Sequence, residues 1–197
     1  MSINVRRLSG DEIKADIQNL ARLRIEVFRD FPYIYDGSDE YEVKYLKKYL
    51  ESSRAALIAA FDEKTIIGVA SCLPLLDEEL VVQKPFAEKG YDLEKVFYFG
   101  ESVLQKKYRG KGLGKVFFQE RENWARSFGQ YDITTFCAVK RPVEHPLRPL
   151  DYRPLDEFWK TQGYIKHPEL HTEFSWQDIG EKNETSKKMI FWLKRWS

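Results

Sequence analysis

Glu101 to Gly129 reads ESVLQKKYRGKGLGKVFFQERENWARSFG: the end of an apolar strand, a basic turn with three glycines, then an amphipathic helix. Upstream, Val96, Phe97, Tyr98 and Phe99, with Val103 and Leu104, are β-branched, aromatic or apolar, as in a strand buried within a sheet. In the turn Arg109-Gly110-Lys111-Gly112-Leu113-Gly114, backbone amides can point outward without interference from a Cβ. Phe117, Phe118, Arg121, Trp124, Ala125 and Phe128 then recur at helical spacing. The turn therefore opens a helix whose first amides and dipole favour an anion, and a phosphorylated cofactor is the expected ligand.

Two familiar phosphate motifs are excluded. A Walker loop needs a Gly five residues before its Gly-Lys pair and a Ser or Thr after it, and those positions hold Arg109 and Val116. A dinucleotide fingerprint beginning at Gly110 needs Gly where Lys115 stands. What fits is R-x-x-G-x-G, carried by Arg109, Gly112 and Gly114, and here the sequence resembles the GNAT superfamily of acyl-CoA-dependent N-acyltransferases.

The resemblance implies an α+β fold of three layers, α/β/α, in one domain spanning residues 1–197. Its sheet would be mixed and mostly antiparallel, with about six to seven strands flanked by helices. The implied cofactor is acetyl-CoA (coenzyme A), its pyrophosphate wrapped by Arg109, Gly110, Lys111, Gly112, Leu113, Gly114 and Lys115. The backbone of Val103, Leu104 and Lys106 would pair with the pantetheine arm like an added strand. Gly100 is a reasonable site for a bulge that splays this strand from the next. Where relatives often carry V-x-P before the turn, this chain has Leu104, Gln105 and Lys106.

The surrounding pattern agrees with that order. Ile3 to Leu8 alternates as a strand, and Ser9 with Glu12 has capping-box spacing, so a helix starts there and runs to about Arg29. Asp30-Phe31-Pro32 stops it. A second helix is expected from Tyr41 to about Glu51, and strands at Ala55 to Phe61 and Thr65 to Leu73. Pro74 to Glu94 reads as a polar insertion with a short helix around Phe86, and Ile133 to Val139 as another strand. The stretch KRPVEHPLRPLDYRP carries four prolines and is read as an ordered loop, Lys140 to Pro154, forming a wall of the substrate pocket. Leu155 to Gln162 is a short helix, Gly163-Tyr164-Ile165 begins a strand, and Met189 to Leu193 is the last strand.

One-step transfer of an acyl group to an amine needs a positioned thioester, a route for the ammonium proton, donors for the oxyanion and an acid for the leaving thiolate. Glu101, the ionisable residue inside the apolar strand, is the candidate base. Simple alternation places it on the face of Phe97, Phe99 and Val103, where burial would raise its pKa. The competing reading is an ion pair with a buried Arg. Many relatives use a Tyr as acid where this chain has Trp159, which leaves Tyr152 and Tyr164 as candidates, Tyr152 being chosen because Tyr164 suits the core. Arg24, Tyr33 and Tyr35 on one side, and Arg141, His145 and Arg148 on the other, are the candidate substrate contacts. The Tyr41/Tyr45/Tyr49 stripe reads as a packing face.

Thirty-two Lys and Arg against 31 Asp and Glu give a net charge of +1, without the basic field that nucleic-acid binding requires. A small-molecule or peptide substrate is therefore favoured, and the resemblance implies a small-molecule amine as the partner. Two cysteines without a C-x-x-C spacing, and no apolar leader or membrane span, read as a soluble cytoplasmic protein, monomer or homodimer. His167 and His171 are separated by Pro168, and no metal site is expected. Two alternatives stay open: a non-catalytic acyl-CoA-binding or regulatory module, and a protein N-acetyltransferase.

Overall fold

The computed structural model describes residues 3–196. Its strands are β1 (Ile3–Arg7), β2 (Ala56–Asp62), β3 (Thr65–Pro74), β4 (Val96–Leu104), β5 (Ile133–Val139), β6 (Ile165–Trp176) and β7 (Thr185–Arg195). The α-helices are α1 (Gly10–Phe28), α2 (Asp39–Glu51), α3 (Leu80–Glu88), α4 (Leu113–Arg126) and α5 (Asp156–Thr161). The seven strands form a mixed sheet in the order β1-β2-β3-β4-β5-β7-β6, in which β4 and β5 run parallel and the other pairs antiparallel. The α+β class and the mostly antiparallel sheet follow the sequence reading. The last two strands are longer than their apolar centres suggested, because exposed lysines and glutamates alternate with buried residues at their outer ends.

Local chemistry sets the helices. Ser9 accepts from the Glu12 amide while the Glu12 carboxylate accepts from the Ser9 amide, the expected capping box. Ser38 caps α2 by accepting from the Tyr41 amide, without the reciprocal bond. One face of the sheet buries Leu20, Leu23, Leu46 and Tyr49 of α1 and α2 against Tyr98 and Val103. The other buries Phe117, Phe118 and Ala125 of α4 against Phe97 and Phe99.

A bulge in β4 decides where the chemistry lies. Ala70 pairs with Ser102 and Cys72 with Phe99, so Ser71 alone faces two residues, Gly100 and Glu101. A Cβ at Gly100 would lie 2.5 Å from both Ser71 Oγ and the Tyr49 hydroxyl, so the bulge needs glycine there. The extra residue also corrects the alternation. Glu101 joins Tyr98 and Val103 on the α1/α2 face instead of Phe97 and Phe99 on the α4 face. Parallel pairing of β4 with β5 covers Val96 to Tyr98, and beyond it β4 pairs with β3 alone among the described residues.

The segment between α1 and α2 is pinned from the far side of the sheet. Arg141 donates to the carbonyls of Pro32 and Tyr33, each at 2.8 Å, and holds both oxygens of Asp178 at 2.7 and 2.8 Å. Trp176 Nε1 adds a bond to Tyr33 O at 3.1 Å, and Ile179 donates to Ile34 O at 2.7 Å. All three guanidinium nitrogens of Arg141, the expected substrate contact, are engaged in holding this segment. Replacing Arg141 by Ala leaves Asp178 buried with only Lys187, 3.4 Å away, and should lower stability by about 3 kcal/mol in urea unfolding.

Candidate active site

The glycine turn is built to present donors. Gly110 and Gly112 have φ of 75° and 83°, with open space where a side chain would stand. Gly112 is the N-cap of α4, and none of the amides of residues 110–114 donates a hydrogen bond among the described residues. Lys111 and Lys115 are exposed beside them. Gly114 has a different reason to be glycine, since a Cβ there would lie 3.2 Å from the Phe158 ring of α5. Arg109 braces the turn: Nε donates to Leu104 O at 3.1 Å, and Nη2 lies 3.3 Å from Asp30. Val103 is buried in the core, Leu104 is half-buried, and Lys106 is exposed at the start of the turn.

Behind the bulge lies a buried ionic cluster. Arg24 of α1 stands between two carboxylates: its Nε contacts Glu42 of α2, and its Nη1 lies 2.6 Å from Glu101 Oε1, close as an ion pair though not aligned as a hydrogen bond. Glu42 is 1% exposed and Glu101 6%. The Tyr45 and Tyr49 hydroxyls donate to Glu101 Oε2 at 3.0 and 3.2 Å, and the Glu101 amide donates to Ser71 Oγ at 3.0 Å. The Arg24 guanidinium also sits 4.1 Å from the centre of the Tyr45 ring.

These contacts reverse the pKa expected for Glu101. Burial alone raises it, but the neighbouring charges, Arg24 first and then Lys48, outweigh burial, and the carboxyl lies below its ordinary value. The ion-pair reading of Glu101 is the one that the structure displays. Arg24 is raised in turn: burial opposes its charge, and Glu101, Tyr45 and Glu42 more than compensate.

The proline-rich loop packs on the segment after α1. Tyr152 meets the Phe31 ring edge-on at 4.6 Å, His145 lies 5.6 Å from that ring, and the Arg148 guanidinium sits 4.9 Å from the Tyr152 ring. The Tyr33 phenol is raised by burial first, then by Cys137 and Tyr152, with Arg24 and Glu101 also acting on it. Tyr33 itself packs against Phe28 at 4.6 Å and Trp176 at 5.8 Å. Tyr35 faces the ionic cluster from the side of Glu42, its pKa raised by burial and by that carboxylate. Tyr164 is in the core, bonded to Thr134 Oγ1 at 2.9 Å and to Glu122 at 3.2 Å. Trp159 packs between Phe136 and Trp192. His167 contacts Glu169, and the described residues contain no group of three or more side chains able to hold a metal.

Three participants escaped the sequence reading: Glu42, Ser71 and Arg121. Glu42 and Arg121 left a trace, as charged residues on the buried stripes of their helices. Ser71 left none, because a serine within an apolar strand does not announce the bulge opposite.

The Acetyltransferase (GNAT) family model matches residues 20–150, which run from the second half of α1 through the bulged strand and the glycine turn to most of the proline-rich loop. The chain belongs to this family. Among solved structures, a GNAT-family acetyltransferase from Streptococcus pneumoniae superposes with a TM-score of 0.61 at 14% identity, covering 99% of this chain and 100% of the other. The ribosomal-protein-alanine N-acetyltransferase of Brucella melitensis gives 0.63 at 14% identity, over 98% and 99%. The paia N-acetyltransferase of Thermoplasma acidophilum, solved in complex with coenzyme A, gives 0.57 at 14% identity, over all of both chains. At these identities the likeness concerns the fold. No curated protein sequence matches the chain. No helix among the described residues is long and apolar enough to cross a membrane.

Because the folded pKa of Glu101 is below the ordinary carboxyl value of 4.5, its ionisation stabilises the fold above about that pH, and this contribution disappears as the pH falls through the folded value. The stability difference between wild type and Glu101→Gln should thus be constant from pH 7 to 5 and shrink below pH 4.5. Urea titrations across that range measure it.

Proposed function

We propose that this GNAT acetyltransferase moves an acetyl group from acetyl-CoA directly to the amine of a small-molecule acceptor, both being bound together. The observation that carries the reading is the run of unpaired amides at residues 110–114, opening the 14-residue helix α4 and flanked by Lys111 and Lys115. Such a run suits a diphosphate, through several amide bonds and the positive end of the helix dipole. The β4 edge freed beyond Tyr98 suits the extended arm that follows.

Acetyl-CoA supplies the thioester carbonyl that the amine attacks. The chain's own residues then divide the work. The Arg24/Glu42/Glu101 cluster fixes α1, α2 and the bulge as one wall, and Tyr152 lines the space in front of it. Tyr152, raised by burial, stays a phenol at neutral pH and serves as the proton donor to the leaving thiolate. Arg148 and His145, stacked with Tyr152 and Phe31, border the acceptor end. Glu101, with its lowered pKa, its Oε2 accepting from two phenols and its Oε1 against Arg24, is a weak proton acceptor, so we assign it to holding Arg24 and the two phenols. The acceptor reacts as the free amine that solution provides, and the proton its nitrogen sheds as the amide forms returns to the Tyr152 phenolate, which restores the phenol.

Thiol release from acetyl-CoA with a panel of small amines tests the reading, with Tyr152→Phe expected to lose about 10²-fold in kcat. Gly112→Val places a β-branched residue at positive φ beside the donors and should abolish acetyl-CoA binding in calorimetry. Gly112 is the cleaner target because Gly114 also packs against Phe158. Unchanged affinity would remove the turn from the cofactor site.

The assignment of Glu101 has its own signature. With two acceptors whose amines differ in pKa, the break in the pH profile of kcat/KM should move with the acceptor. A break fixed at one pH for both would return the role of base to the protein.

A further inference from the structure

Arg121 is a buried cation that the reaction described above does not use. It lies on the sheet-facing side of α4, is 2% exposed, and has no carboxylate within ion-pair distance among the described residues. Burial lowers its pKa, the cost of holding a guanidinium among Phe99 and Phe118, whose ring centres lie 4.3 and 5.0 Å away. A leucine would fill this place without that penalty.

What the guanidinium touches explains its presence. Nε donates to Phe117 O at 3.1 Å in its own helix, and Nη1 reaches the carbonyls of Ser71 and Glu101, each at 3.4 Å. Ser71 and Glu101 belong to the three residues that the bulge leaves without a register partner between β3 and β4. On the opposite face, Ser71 Oγ accepts from the Glu101 amide. The irregular backbone of the bulge is therefore satisfied from both sides of the sheet, by a side chain on β3 and by a cation reaching in from α4. Buried backbone groups that lose ladder partners need replacements, and a charged donor that can serve two carbonyls meets this need.

We propose that Arg121 is a positioning residue for the acyl-transfer reaction: by clamping the carbonyls at the bulge it fixes the course of β4, and with it the strand edge that receives the pantetheine arm. The proposal rests on the cofactor reading above. It separates the two ends of the cofactor site. The nucleotide end belongs to the turn at 110–114, braced by Arg109, while the arm belongs to the strand that Arg121 holds.

Calorimetry with two ligands tests the clamp: acetyl-CoA, and a 3′-phosphorylated ADP that lacks the pantetheine arm. Arg121→Met should weaken acetyl-CoA binding about tenfold, the scale of one charge-assisted hydrogen bond, and leave the nucleotide fragment unchanged. Ser71→Ala, which loosens the clamp from the other face, should shift the same ligand in the same direction, and Arg121→Lys should fall between wild type and Met. If Arg121→Met does not fold, the Lys and Ser71 variants decide by the same criterion. Equal weakening of both ligands, or no change in either, overturns the clamp. A wild-type protein that binds neither ligand overturns the cofactor reading itself.

Discussion

The two-for-one pairing at Ser71 is the constraint on which the site depends. Inserting one residue into β4 rotates the strand beyond it, so that Glu101 faces the helices α1 and α2 while Phe99, two residues earlier, faces α4. The strand leaves β5 just before the same point. An unpaired strand edge thus lies beside a backbone irregularity that turns a charged residue into the core. Glycine at position 100 is what the close approach of Tyr49 and Ser71 permits.

Rotating a carboxylate into a core requires a counter-charge there. Arg24 serves both Glu101 and Glu42, and two tyrosine hydroxyls complete the shell. Ion clusters of this kind contribute less to net stability than their close contacts suggest, because desolvation offsets much of the attraction. Their effect is on geometry. Here three elements far apart in sequence are held in one arrangement, and removing Arg24 leaves two carboxylates buried without their cation. The lowered pKa of Glu101 follows from this. A carboxylate surrounded by donors and a cation gives up its affinity for a proton.

Much of the fold was legible because it rests on local signals. The capping box at Ser9 and Glu12, the three glycines before an amphipathic helix, and the apolar strand ahead of them each carry a short-range physical cause, and each element lies where it was expected. The proline-rich stretch was recognisable as a loop that packs, although its partner Phe31 was not. Long-range pairing was what the sequence concealed. Strict alternation put Glu101 on the wrong face, since a bulge is a property of two strands together. Arg141 looked like a free cation on a loop, and its partners Asp178, Pro32 and Tyr33 are brought to it only by the fold. Arg121 looked like part of a helical stripe, and the carbonyls it serves are 50 and 20 positions away.

The contrast between the exposed glycine turn and the buried cluster reaches beyond geometry. Lys111 and Lys115 stand in solvent, and the Arg109–Asp30 pair is about half exposed. Their fields are damped over roughly 8 Å at physiological ionic strength, whereas the Arg24 cluster lies under protein and is little screened. The two ends of the cleft therefore respond to different variables. Salt acts on the encounter with an anionic ligand at the rim and leaves the interior alignment alone, so the medium sets how often the site is filled, and the packed core sets how its contents are held.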